Sequence, residues 1–148
     1  MAETLGTLCD KLTIVKLKRW HSEDKVRLES LAQQEQQLAK EIDNFVSSAI
    51  SGVISPEKLT FSSNKVYKVE GNEIAEIRGE IGGLFAQLAH TNCELWHEQE
   101  KVYEFEKIPV DDKDKVVKRL ATLNLERNRC MDEIDQQFKR QILARNNA

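Results

Sequence analysis

Glycine and proline are scarce in this chain, with six and two among its 148 residues. Few obligatory turns therefore interrupt the sequence, which favours long helices. No apolar run approaches the ~18 residues of a membrane span, and the N-terminus lacks the apolar core of a signal peptide. We therefore expect a protein without a membrane span, located in the cytoplasm.

A strong excess of either charge is also missing. Lysine and arginine number 22, aspartate and glutamate 25, and the net charge is −3. Without a strong basic field, sequence-independent binding of nucleic acid is disfavoured. The three cysteines, Cys9, Cys93 and Cys130, are far apart and odd in number, which indicates neither a disulfide framework nor a zinc knuckle. Each is expected to be a small core residue on an apolar stripe.

Signatures of catalysis are absent as well. The sequence shows no Gly-rich phosphate loop and no Ser/His/Asp or Cys/His arrangement. Glu94 and His97 have the Glu-x-x-His spacing of di-iron bundles, but Lys18 occupies the position of the glutamate in the matching first half. We therefore predict no catalytic residue, no metal and no cofactor.

What the chain does contain is a repeated Trp-His pair. Trp20-His21 recurs 76 residues later as Trp96-His97, and these are the only two tryptophans. Upstream apolar residues match at the same offset: Leu5 with Ile81, Leu8 with Leu84, and Leu12 with Leu88. Further along, Glu41-Ile42-Asp43 matches Glu133-Ile134-Asp135 at an offset of 92. We interpret this as a duplicated helical hairpin within one domain, 1–148, with half-repeats at about 4–50 and 72–146 and an irregular connection at about 51–71.

Apolar residues spaced by three and four predict the helices of the first half. One stripe starts at Leu5, and a second, shifted in phase, runs from Leu28 to Ala49. Cations before Ser22 and acids after it indicate a helix end followed by a new helix start. The lack of Gly and Pro between residues 6 and 52 instead favours one long helix with a stutter. We favour the turn near Ser22.

The second half predicts two further helices. Asn72 is expected to cap the third, with Glu73 and Glu76 in its first turns and Pro109 at its end, and Asp111 or Asp112 to cap the last. Ser55-Pro56 predicts a short helical turn in the connection. The predicted fold is an all-α antiparallel bundle of two hairpins, and the alternative is three long helices with the first unbroken. The predicted core residues are Leu38, Ile42, Leu84, Leu88, Leu120 and Ile134.

Polar residues within the apolar stripes are the strongest functional candidates. The third helix carries Thr91, Asn92 and Glu98, which should lie near Asn124, Arg127 and Asn128 of the fourth. Buried polar groups reduce stability unless they are paired, so this cluster either fixes helix register or forms a ligand pocket, and register is favoured. Glu35 and Arg127 are equivalent in the two halves and should form an ion pair if the chain turns near Ser22.

The two Trp-His pairs should form an amphipathic rim at one end of the bundle, with each ring partly buried. Together with the polar cluster they define the candidate polar site, which comprises Trp20, His21, Asn92, Trp96, His97, Asn124, Arg127 and Asn128.

Several motifs resemble those of an uncharacterised bacterial family, the domain of unknown function numbered four-two-five-four. They are Asn92-Cys93-Glu94-Leu95-Trp96-His97, Lys118-Arg119, Leu123-Asn124, Arg127-Asn128 and Asp132-Glu133-Ile134-Asp135, with Asp10-Lys11-Leu12-Thr13-Ile14, Leu17-Lys18 and His21 similar to the family's opening motif. Gln99-Glu100 replaces the usual acidic pair, and Arg129 stands where an acid is common. The resemblance implies a small all-helical bacterial protein, often encoded near polysaccharide-assembly functions, and it transfers no catalytic residue.

These observations favour a non-enzymatic bundle protein that binds a protein partner or associates with itself, linked to polysaccharide assembly by the family context. The alternative is an enzyme or small-ligand-binding protein with a polar site around His21, His97, Asn124 and Arg127. A polar pocket between those residues would favour the alternative, and a dry, filled core would favour the first interpretation.

Overall fold

The computed structural model describes residues 2–61 and 74–147. Four α-helices form the protein: α1 (Leu5–His21), α2 (Lys25–Ile50), α3 (Ile81–Tyr103) and α4 (Val110–Asn146). Short 3-10 turns occur at Pro56–Lys58, as predicted, and at Phe105–Lys107. The described residues contain no strand, and the helices pack as a bundle, so the all-α prediction is confirmed.

The chain turns between α1 and α2, which excludes the alternative with an unbroken first helix. Helix α1 ends in a basic last turn at His21, where cations interact favourably with the helix dipole. Asp24 caps α2, and its side chain accepts a hydrogen bond from the Val26 N–H at 3.0 Å. Ser22, the expected start signal, instead lies at the C-terminal cap of α1.

The predicted start of the third helix is wrong. Residues 74–80 are not helical, and α3 begins only at Ile81, after Glu80. Gly79 adopts a φ of 147°, a value that other residues rarely adopt. An α-helix cannot pass through this conformation, so the stretch around Ile77 lies outside α3. Glu76 therefore lies before the helix, while Asn72 and Glu73 fall outside the described residues.

The connection between α3 and α4 also differs from prediction. Helix α3 ends at Tyr103, before the 3-10 turn, rather than at Pro109. Pro109 is the residue preceding α4, where its fixed φ and missing N–H cost nothing. Asp111 and Asp112 are consequently in the first turn of α4 and do not cap it.

Helix α1 occupies the centre of the arrangement. It runs antiparallel to α4, since its early Gly6 contacts Asp135 and its later Asp10 contacts Arg127. It also runs antiparallel to α2 and packs against all three other helices, whereas α2 packs mainly against α1. Helices α3 and α4 form the most extensive pair.

The core lies mainly between α1, α3 and α4. The predicted core residues Leu84, Leu88 and Ile134 are buried, whereas Leu38, Ile42 and Leu120 are only partly buried. The flanking position of α2 explains the first two of these differences, because Leu31 and Ala49 are its only buried residues. Cys9 and Cys130 are buried as expected, but the expectation is wrong for Cys93, which is exposed.

Candidate functional site

A buried polar network connects α1, α3 and α4. Its centre is Asp10, which is 4% exposed. The Asp10 Oδ1 atom accepts hydrogen bonds from Arg127 Nε at 2.8 Å and from Asn92 Nδ2 at 3.0 Å, and Oδ2 accepts one from Arg127 Nη2 at 2.5 Å. The planar guanidinium therefore holds a buried carboxylate through two parallel bonds, the strongest geometry for such a pair.

Thr13 extends this network by one helical turn. Its Oγ1 atom accepts a hydrogen bond from Asn92 Nδ2 at 2.6 Å and donates one to the Asp10 carbonyl at 2.7 Å. Within the described part of the chain, the buried Asn92 Oδ1 atom has no hydrogen-bond partner. Because the other polar groups pair with one another, the network fixes the register of three helices.

The predicted Glu35–Arg127 ion pair is wrong. Arg127 points toward α1, where Asp10 binds it, and Glu35 binds Lys16 and Arg19 of α1, with 3.0 Å between Lys16 Nζ and Glu35 Oε1. Glu35 and Arg127, the two charged residues within the apolar stripes of α2 and α4, therefore face α1 from different sides. The sequence interpretation missed Asp10 and Thr13, although both lie in the opening motif of the family resemblance and are one helical turn apart.

The predicted polar cluster is only partly present. Asn92 and Arg127 join the network, and Thr91 is buried nearby on α3. Asn124 is exposed and Asn128 is half-buried, and neither hydrogen-bonds to the network among the described residues. Glu98 also lies apart and forms an ion pair with Lys101 at 3.0 Å.

The Trp-His pairs meet at one end of the bundle, as predicted. The His21 and Trp96 rings stack with centroids 4.7 Å apart, and His97 approaches the His21 ring edge-on at 6.3 Å. Trp96 is half-buried and donates its Nε1–H to Glu100 at 2.7 Å. The expectation of partly buried rings holds only for Trp96, because Trp20 is 85% exposed and His21 and His97 are exposed as well.

The candidate polar site is thus split into two regions. His21 lies eleven residues beyond Asp10 on α1, or about 16 Å along the helix at 1.5 Å per residue. Glu94, the residue expected beside His97 in a metal site, instead binds Arg119 and His90. In residues 2–61 and 74–147, no three His, Cys, Asp or Glu side chains form a group that could hold a metal ion.

A cleft lies beneath the stacked rings, between α1, α2 and α3. Its volume is about 390 Å³, within the range of small-ligand sites. Its lining residues are Lys18, His21, Ser22, Arg27, Ser30, Leu31, Gln34 and Trp96. None of these residues is acidic, and two of them, Lys18 and Arg27, are basic.

A second buried carboxylate, Asp135 of α4, binds the N-terminal turn of α1. It accepts a hydrogen bond from the Gly6 N–H at 2.7 Å, and burial raises the pKa of Asp135 to about 7. The two helices approach so closely here that a Cβ atom on Gly6 would lie 2.4 Å from the Met131 carbonyl oxygen. Glycine is therefore required at this helix crossing.

No family model, curated protein or solved structure matches this chain. The resemblance to the uncharacterised bacterial family stays a prediction. None of the helices in the described residues is long and apolar enough to cross a membrane.

Proposed function

We propose that this protein is a non-enzymatic helical bundle that associates with a second copy of itself through the end of the bundle where α1 and α3 finish. The observation that carries the proposal is the exposure of Trp20 at this end. Tryptophan is strongly enriched among the residues that dominate protein interfaces, and a solvated indole is uncommon on a free surface.

The shape of this end supports a symmetric dimer. His21, the last residue of α1, stacks on Trp96, but α3 continues for seven further residues to Tyr103. At 1.5 Å per residue, the α3–α4 connection therefore projects about 10 Å beyond the α1–α2 turn. A two-fold axis across this stepped end would seat the projecting side of each copy over the recessed side of the other.

The charges of the stepped end are arranged in the same self-complementary way. The recessed side, residues 16–29, carries five basic and three acidic side chains, and two of the bases, Lys16 and Arg19, bind Glu35 of α2, which leaves a small basic excess. The projecting side, residues 98–115, carries seven acidic and four basic side chains. The two-fold arrangement would place each basic side against the acidic side of the other copy, which favours association and fixes its orientation.

Apolar residues on both sides complete the surface. Trp20 and Val26, on the recessed side, are 85% and 75% exposed, and Tyr103 and Val110, on the projecting side, are each 80% exposed. In the dimer, the projecting Tyr103 and Val110 of one copy would cover Trp20 and Val26 of the other. Burial of these side chains would supply the affinity, while the charges would supply the orientation.

The proposal is tested by sedimentation velocity over a concentration series. We expect a reversible dimer whose dissociation constant rises with salt and rises at least about tenfold in Trp20→Ala. The matched control is Val53→Ala, because Val53 is 80% exposed but lies beyond the opposite end of α2. A wild-type chain that stays monomeric up to about 1 mM would overturn the proposal. So would equal weakening by the two substitutions.

A further inference from the structure

We infer that the cleft between α1, α2 and α3 binds a small phosphate monoester that carries a sugar or base ring. The inference goes beyond self-association, and the cleft shares Lys18, His21, Ser22 and Arg27 with the recessed side of the stepped end, so a ligand and a second copy would compete for it. It depends on the charges of the lining, on the donors beside them and on the stacked rings at one wall.

The cleft is lined by two basic side chains, Lys18 and Arg27. Lys18 reaches the cleft from α1 and Arg27 from α2. In the described part of the chain, neither has a carboxylate within 4.0 Å, whereas the neighbouring Lys16 and Arg19 both bind Glu35. Two bases that converge on one cleft repel each other, and a bound dianion would remove that repulsion.

Three acids of the surrounding helices bind other groups of the protein. The Asp24 carboxylate caps α2 by accepting the Val26 N–H, and Glu100 accepts the Trp96 Nε1–H. Glu35 binds α1, as described above. No acid therefore lines the cleft to repel a phosphate or to compete with it for Lys18 and Arg27.

The remaining lining atoms suit a phosphate monoester better than a simple inorganic ion. A guanidinium binds two phosphate oxygens at once, and the hydroxyl groups of Ser22 and Ser30 supply further donors. His21 and Trp96 also line the cleft, and the ring surface that their mutual stacking leaves uncovered is where a sugar or base would pack. A volume of about 390 Å³ is large enough for one such ligand.

The test uses Trp96 as its own reporter. In the full chain carrying Trp20→Phe, Trp96 is the only tryptophan, and its fluorescence is titrated with glucose 6-phosphate, adenosine 5′-monophosphate, adenosine and inorganic phosphate. The titration is run at a protein concentration at which sedimentation velocity shows only the monomer, so that ligand binding is measured apart from self-association. We expect saturable quenching by at least one of the two esters, with adenosine and inorganic phosphate at least about tenfold weaker than that ester.

Substitutions in the same background identify the site. Arg27→Gln and Lys18→Gln should each weaken ester binding by at least about tenfold. The matched control, Lys25→Gln, removes an equal charge two residues from Arg27 but outside the lining, and should leave binding nearly unchanged. Absence of saturation by either ester up to about 10 mM would overturn the inference. Equal weakening by all three substitutions, or equal binding of inorganic phosphate and the ester, would do the same.

Discussion

Removal of the Arg127 guanidinium should destabilise the fold strongly, because it leaves the buried Asp10 carboxylate without its charged partner. Both carboxylate oxygens bind Arg127, and only the Asn92 amide would remain as a side-chain donor at 3.0 Å. Breaking a buried ion pair costs about 3–5 kcal/mol. Since the Arg127 side chain remains 25% exposed, we expect Arg127→Met to lower the free energy of unfolding by about 3 kcal/mol, the lower end of that range.

A double-mutant cycle in urea, followed by circular dichroism, measures this effect. Asp10→Asn removes the buried charge, so the double variant Asp10→Asn/Arg127→Met should lose at least about 1 kcal/mol less than the sum of the single losses. The control is Glu35→Gln, whose ion pairs lie at the more solvated flank, and its cost should stay below about 1 kcal/mol. Additive losses, or a cost of Arg127→Met no greater than that of the control, would refute the reasoning.

Three further predictions follow from the helix contacts. Gly6→Ala places a Cβ atom 2.4 Å from the Met131 carbonyl oxygen, so it should cost about 1–3 kcal/mol in urea unfolding, and a loss below about 0.5 kcal/mol would contradict the close approach. Leu88→Ala removes a fully buried side chain and should cost about 2–5 kcal/mol in the same assay, whereas a loss below about 1 kcal/mol would mean that this position is not core. The pKa of Asp135 is raised from 3.8 to about 7, so between these values the unfolded chain ionises first, and stability should fall by up to about 4 kcal/mol as the pH rises. In Asp135→Asn, the urea midpoint of unfolding should fall less steeply between pH 4 and pH 8 than in the wild type. An unchanged dependence of the midpoint on pH would rule out Asp135 as the cause of the decline.

Local patterns predicted the parts of the fold that depend on local physics. The turn at residues 22–24 follows from cations before it and acids after it, which act within one helical turn. Leu84, Leu88 and Ile134 are buried because helical periodicity identifies an inward face without reference to the rest of the protein.

The centre of the polar network could not be predicted in this way. Asp10 is a charged residue beside an apolar stripe, which is typical of a solvated helix face. It is buried because α4 crosses α1 closely at Gly6, and that crossing depends on residues about 125 positions apart in the chain. The start of α3 was also misplaced. Ile77 has the helical spacing of the α3 stripe and is buried in the core, but the residues around it are not helical, so apolar spacing alone did not reveal where the helix begins.

The charges on α1 determine which of two similar helices packs on each of its sides. The sequences of α2 and α4 match at an offset of 92 residues, and in each the apolar stripe is interrupted at the same place, by Glu35 in α2 and by Arg127 in α4. Helix α1 offers Asp10 to Arg127, and it offers two bases, Lys16 and Arg19, to Glu35.

If α2 and α4 exchanged places, Arg127 would face the two bases of α1 and Glu35 would face the buried Asp10. Like charges brought together in a partly desolvated setting cost several kcal/mol, a large share of the stability of a small domain. Apolar stripes alone would distinguish these helices poorly, because their spacing is nearly the same. The opposite charges at one equivalent position therefore select a single arrangement of two hairpins that resemble each other in sequence.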